Sequence, residues 1–146
     1  MKFTFIGDVT ELEQGIDAIS KRLNFTELTG EISICVERVV SNKLEIIKRG
    51  TDVTIMYREK IHFYRAFGLL VQHIKEECFH IMEEPQFDSN GAMFDVSQRN
   101  AVIRVNVLKQ MIEVMALMGL NALLLYMEDS YEVKNEPYFG YMRGKY

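Results

Sequence analysis

From Val105 to Met127 the chain is apolar over a length approaching that of a bilayer-spanning helix, and the interruptions in this tract constrain the fold more than any other feature. Lys109 and Glu113 place charges in its first half, and Gly119 and Asn121 break it. A buried helix followed by a turn and a strand fits that pattern; a membrane span does not. Leu108, Ile112 and Met115 lie on one helical stripe, while Val107, Met111, Val114 and Leu117 lie on another. The helix, from about Arg104 to Met118, therefore expects neighbours on both flanks. Apolar strands are read before it, from Ala92 to Val96, and after it, from Ala122 to Met127. Strand, helix and strand in this order predict a right-handed parallel crossover covered on both faces. One such unit cannot complete a domain. It would leave apolar faces and unpaired strand edges exposed, which predicts self-association, with a homo-oligomer as one outcome.

Upstream the periodicities change. Lys2 to Gly7 alternates briefly as a strand does, and Thr10-Glu11-Leu12-Glu13 has capping-box spacing for a helix start. Leu12, Ile16, Ile19 and Leu23 then recur on one helical face. Ile32, Ile34 and Val36 alternate with Ser33, Cys35 and Glu37, a period of two. Leu44 to Lys48 and Val53 to Tyr57 read as two further strands, and Arg49-Gly50-Thr51-Asp52 joins them as an antiparallel hairpin. Ile61, Tyr64, Phe67, Val71 and Ile74 mark a second long amphipathic helix. The fold class is α+β: a mixed or antiparallel sheet with two packed helices over residues 1–83, a Pro/Gly/Asn-rich linker over 84–91, and a strand–helix–strand unit opening the region 92–146.

With 48% hydrophobic and 26% charged residues, the chain has the composition of an ordinary globular protein. A net charge of −4 without a Lys/Arg cluster gives no field for a polyanionic backbone, so nucleic acid is not an expected partner, and neither is a membrane. The apolar stretch before Asp8 is too short for a secretory signal, and Cys35 and Cys78 have no metal-like spacing, so reduced thiols in a cytoplasmic protein are expected. His62 and His73 fall on nearly the same face of one predicted helix, but no third ligand is apparent, and surface or partly packed imidazoles are the commoner use. His80, near the linker, has no evident partner. No metal and no cofactor are expected.

Three separate stretches are more specific. They are Phe94-Asp95-Val96-Ser97-Gln98-Arg99-Asn100-Ala101-Val102, Met115-Ala116-Leu117-Met118-Gly119-Leu120-Asn121, and Tyr126-Met127-Glu128-Asp129-Ser130-Tyr131-Glu132. In that order they resemble the opening of the catalytic (β/α)₈ barrel of family 20 glycoside hydrolases, the β-N-acetylhexosaminidases. The closing segment from Glu136 to Tyr146 resembles the continuation found in a bacterial branch of the family. The first 83 residues resemble these enzymes' preceding α/β domain in layout only.

The resemblance implies that Arg99 grips hydroxyls of a terminal N-acetylglucosamine or N-acetylgalactosamine, a task suited to a rigid five-donor fork. Gln98 lengthens the interval from Asp95 to this arginine by one residue relative to the usual family spacing. Asp129 corresponds to an acid that holds a histidine orienting the general acid, and Glu128 stands beside it as a second substrate-binding candidate. The family's catalytic Asp-Glu pair follows the fourth barrel strand. A whole barrel takes about 250 residues, so the resemblance implies a truncated barrel without that pair, inactive alone, from a retaining enzyme that uses the substrate's own acetamido group as nucleophile. Two other readings compete: a non-catalytic carbohydrate- or protein-binding α/β module, and a different barrel enzyme with an arginine and an acid at the same strand ends.

Overall fold

The computed structural model describes residues 2–23, 31–96, 103–127 and 134–136. Its elements run β1 (Lys2–Gly7), α1 (Glu13–Leu23), β2 (Glu31–Arg38), β3 (Leu44–Arg49), β4 (Asp52–Tyr57), α2 (Lys60–Gln72), β5 (Cys78–Glu83), β6 (Gly91–Asp95), α3 (Val105–Leu117) and β7 (Ala122–Tyr126).

β1 to β5 form one sheet in the spatial order β1-β2-β4-β3-β5. β1, β2 and β4 are mutually parallel, whereas β3 runs antiparallel to both β4 and β5, so the expected mixed sheet is present. Arg49 faces Asp52 across the β3–β4 hairpin, and Gly50 takes a φ of 59° in its turn, a conformation that costs glycine least. Strand alternation sends Ile32, Ile34 and Val36 of β2, Leu44 and Ile46 of β3, and Val53, Ile55 and Tyr57 of β4 into one core. α1 and α2 cover this face. Phe3 and Phe5 of β1 meet Phe63 and Phe67 of α2, with ring centroids 5.4 Å apart for Phe3–Phe67 in an edge-on geometry and 6.2 Å for Phe5–Phe63.

One strand was not expected. β5 pairs with β3 along its whole length, from Arg49–Cys78 to Leu44–Glu83. Phe79 and Ile81 point to the core, but Cys78 and Met82 on the opposite face are apolar too, and this blurs the period of two. Lys48 is a second surprise: it occupies a core-facing position and is only 5% exposed. Its ammonium group donates to the carbonyls of Glu76 and Glu77, tying the chain between α2 and β5 to the sheet.

β6 and β7 form a separate two-stranded sheet and run parallel, from Gly91–Ala122 to Asp95–Tyr126, with α3 between them in sequence. α3 ends in a Schellman arrangement. Leu120 N–H reaches Met115 O at 2.9 Å, Gly119 N–H reaches Ala116 O at 3.0 Å, and Gly119 takes a φ of 83°. α3 packs on α2, which has the large sheet on its other side. At the seam Gly68 approaches the backbone so closely that a Cβ there would lie 2.3 Å from Leu117 O. Arg22 of α1 lies 3.5 Å from Glu113 of α3 at the flank of this seam. No described helix is long and apolar enough to cross a membrane.

Candidate functional site

Arg99, Glu128 and Asp129, the three residues expected to meet a sugar, lie outside the described residues. The points where their segments leave the sheet are described. Asp95 faces Tyr126, and Val96 N–H extends the ladder to Tyr126 O at 3.0 Å. The two chains therefore exit side by side, about 4.8 Å apart as neighbouring strands are. Arg99 follows Val96 by three residues and Asp129 follows Met127 by two. Alternation places Met93 and Leu124 on one face of this sheet at 63% and 59% exposure, with Tyr126 at 40% further along it. Ala92, Phe94, Leu123 and Leu125 point the other way and are half-buried. Leu123 and Met115 line the same small space, so α3 covers that second face.

The opposite end of the two strands carries the larger cavity. A cleft of about 800 Å³ opens where the N-terminal ends of β6 and β7 meet the start of α2 and the segment after β5. Asn121 builds its floor. The side-chain oxygen accepts from Asn90 N–H at 2.8 Å, the side-chain nitrogen donates to Asp88 O at 2.8 Å, and its own N–H donates to Asn90 O at 2.8 Å. Arg65 of α2 makes a two-pronged bond with Glu83 of β5, Nε to Oε2 and Nη2 to Oε1, each at 2.8 Å. That contact holds the guanidinium pKa above its ordinary value.

His62 sits in the first turn of α2, 5% exposed, and lines this cleft. Its burial corrects the expectation of a surface or partly packed imidazole. Burial also pushes its pKa below the ordinary 6.5, so the ring is neutral near pH 7. Nδ1 accepts from the Glu59 backbone N–H at 3.4 Å, which leaves the ring proton on Nε2. His73 does not share a site with His62. It caps the far end of α2, 2.6 Å from Glu76, and packs against Phe79. His80 has a partner after all, Glu45 on the neighbouring strand at 2.6 Å. Cys35 and Cys78 are free thiols, and among the described residues no group of three His, Cys, Asp or Glu stands close enough to hold a metal.

The cleft was not legible in the sequence. Arg58, Lys60 and Arg65 stand in no spacing that marks a site, and only the return of β5 and the fold-back of β7 bring Glu83, Asn90 and Asn121 opposite them.

An α/β layer joined to a parallel strand–helix–strand unit is an architecture found at the level of fold in glycoside hydrolases. The exo-β-N-acetylglucosaminidase of glycoside hydrolase family 20 from Vibrio harveyi, solved with N-acetylglucosamine, matches with a TM-score of 0.64 at 16% identity, over 86% of this chain and 22% of that one. The family 20 β-N-acetylhexosaminidase of Streptomyces coelicolor A3(2) matches with a TM-score of 0.61 at 18% identity, over 86% of this chain and 30% of that one. A family 138 enzyme targeting pectin rhamnogalacturonan II matches with a TM-score of 0.58 at 12% identity, over 86% of this chain and 19% of that one. The likeness is one of fold, and this chain spans less than a third of the length of these structures. No protein-family model matches the sequence, and no curated protein does.

Proposed function

We propose that this chain is the N-terminal part of a retaining exo-β-N-acetylhexosaminidase, which removes terminal N-acetylglucosamine or N-acetylgalactosamine. The observation that carries this reading is the parallel pairing of β6 and β7 in a sheet of their own, with one face covered by α3 and the other left apolar and open. A self-contained module would bury Met93 and Leu124. The start of a closed ring of parallel strands leaves that face for later strands to fill.

In this reading residues 1–83 form a non-catalytic domain, 84–91 a linker, and 92–146 the first pieces of the barrel. Arg99 and Asp129 then stand just after two successive strands, the end at which barrel enzymes gather their sites. Arg99 holds sugar hydroxyls through its guanidinium fork, and Asp129, with Glu128 beside it, orients the machinery of the site. The acid that protonates the leaving oxygen, and the aspartate that aims the substrate's acetamido oxygen at the anomeric carbon, belong to a later strand. Residues 1–146 alone are then inactive.

The test is a chromogenic N-acetylglucosaminide assay on this chain and on the product of its uninterrupted reading frame. Activity is expected only in the longer protein. There, Arg99→Ala should lower kcat/KM by roughly 100-fold, the scale of about 3 kcal/mol of lost substrate and transition-state contact. A longer frame lacking an Asp-Glu pair on a later strand, or one releasing no chromophore, would overturn the proposal.

A further inference from the structure

The cleft at the foot of β6 and β7 is not used by the proposed activity, and its lining is selective. Four cationic side chains border it, and each is already matched to a carboxylate: Arg38 to Glu11 at 3.7 Å, Arg58 to Glu59 at 3.5 Å, Lys60 to Glu11 at 3.3 Å, and Arg65 to Glu83 at 2.8 Å. Three of the four bordering carboxylates are matched as well, Glu84 through Lys43 at 3.8 Å. An anion or a cation entering here meets charges that already stand beside a counter-charge, which weakens the field that either would feel. Neither gains an uncommitted charge beyond Asp88.

What the cleft offers instead is a set of neutral or already neutralised hydrogen-bonding groups. His62 is held uncharged, with its proton on Nε2. Arg65 spends Nε and Nη2 on Glu83, which leaves Nη1 as a donor without a partner among the described residues. The outer lone pairs of Glu83 can accept. At the rim the Phe87 ring stands 74% exposed, a flat apolar surface held out to solvent beside these polar groups. A ligand with one apolar face and a girdle of hydroxyls satisfies both halves of this arrangement. The volume of about 800 Å³ lies in the range of small-molecule sites, roughly 300–1,000 Å³.

We infer that this cleft binds a neutral saccharide, with Phe87 as the stacking platform and His62, Arg65 and Glu83 as the hydroxyl partners. The inference does not depend on the chain's belonging to a hexosaminidase, and its site lies at the N-terminal ends of β6 and β7, away from the ends at Val96 and Met127.

The experiment is an amide NMR titration of the intact chain with three neutral disaccharides: maltose, lactose and β-1,4-linked di-N-acetylglucosamine. Inorganic phosphate serves as the charged probe. At least one disaccharide should saturate, moving the amides of His62, Arg65, Phe87, Asn90 and Gly119. Phe87→Ala should weaken that binding at least tenfold while leaving the amides of β2 and β4 in place, and Phe87→Tyr should restore it. Because Phe87 is exposed, its loss leaves the core untouched. Failure of all three sugars to saturate would overturn the inference, as would equal response to phosphate or unchanged binding by Phe87→Ala. Sugar-induced shifts confined to Asp95, Val96 and Tyr126 would also overturn it while sparing the hexosaminidase reading. Saturation at the foot, with no glycosidase activity in the longer protein, would do the reverse.

Discussion

The five-stranded sheet with its two helices and the β6–α3–β7 unit are both α/β arrangements, yet they are stabilised in different ways. The first carries its own core: Ile34, Ile46, Ile55, Phe63 and Leu70 are completely buried, and both faces of α2 find neighbours. In the second, Met115 is the one buried apolar side chain among the described residues, and it lies on the helix. Met93, Leu124, Val105 and Met118 remain largely in water. Sequence pattern alone makes β6 and β7 look like the better strands, since they are the more continuously apolar. Strong apolarity here marks a face that the described residues leave without neighbours.

The largest effect that would sharpen this comparison comes from the first core. Phe63→Ala should cost about 3–5 kcal/mol in urea unfolding, because the ring touches Phe5, Tyr57, Tyr64 and Phe67 and leaves a cavity behind. A loss under about 1 kcal/mol would mean that the core is not closed at this point. Next is the seam between the two regions. Gly68→Ala should destabilise by about 1–3 kcal/mol, since the new methyl meets a backbone carbonyl that cannot turn aside. Hydrogen exchange should accelerate in α3 and β7 more than in β2 and β4, and uniform acceleration would show that the regions open as one.

A smaller effect is expected from acid. His62 has its pKa lowered by burial, so below about pH 6.5 the unfolded chain takes up a proton that the folded chain refuses. Stability attributable to this group should hold above that pH, fall as the pH drops towards the lowered folded value, and then level off. His62→Gln should flatten that part of the urea-midpoint curve, and an unchanged slope would assign the acid response elsewhere. The smallest change in stability belongs to the open face. Leu124→Lys should alter unfolding by no more than about 0.5 kcal/mol while reducing self-association in sedimentation velocity. A wild-type chain that stays monomeric at high concentration would remove the premise.

Much of the first sheet was legible because its strands alternate cleanly and its hairpin has a glycine in the turn, and the parallel sense of β6 and β7 followed from the helix between them. β5 was hidden by Cys78 and Met82, outward-facing residues as apolar as their inward neighbours. Insertion of β3 beyond β4, away from its sequence neighbour β2, is a pairing decision that no local pattern records. Lys48 illustrates the same limit in one residue: a lysine in a strand reads as solvent-facing, and only two carbonyls from a distant turn make its burial tolerable. For the proposed sugar site, the sequence points to the segments after β6 and β7, whose candidates Arg99, Glu128 and Asp129 lie outside the described residues. It gave no sign of the cleft at their other end, whose walls come from five separated segments.

Asn121 carries one further implication. Because a single amide grips both Asp88 and Asn90 from the threshold of β7, the passage between the two sheets is stitched to the far strand as well as joined through the peptide chain. A protease cutting between Gln86 and Phe87 would leave Asp88, Asn90 and Asn121 on one fragment with its linker still fastened to β7, so the nicked protein should travel as one particle for as long as α3 stays packed on α2.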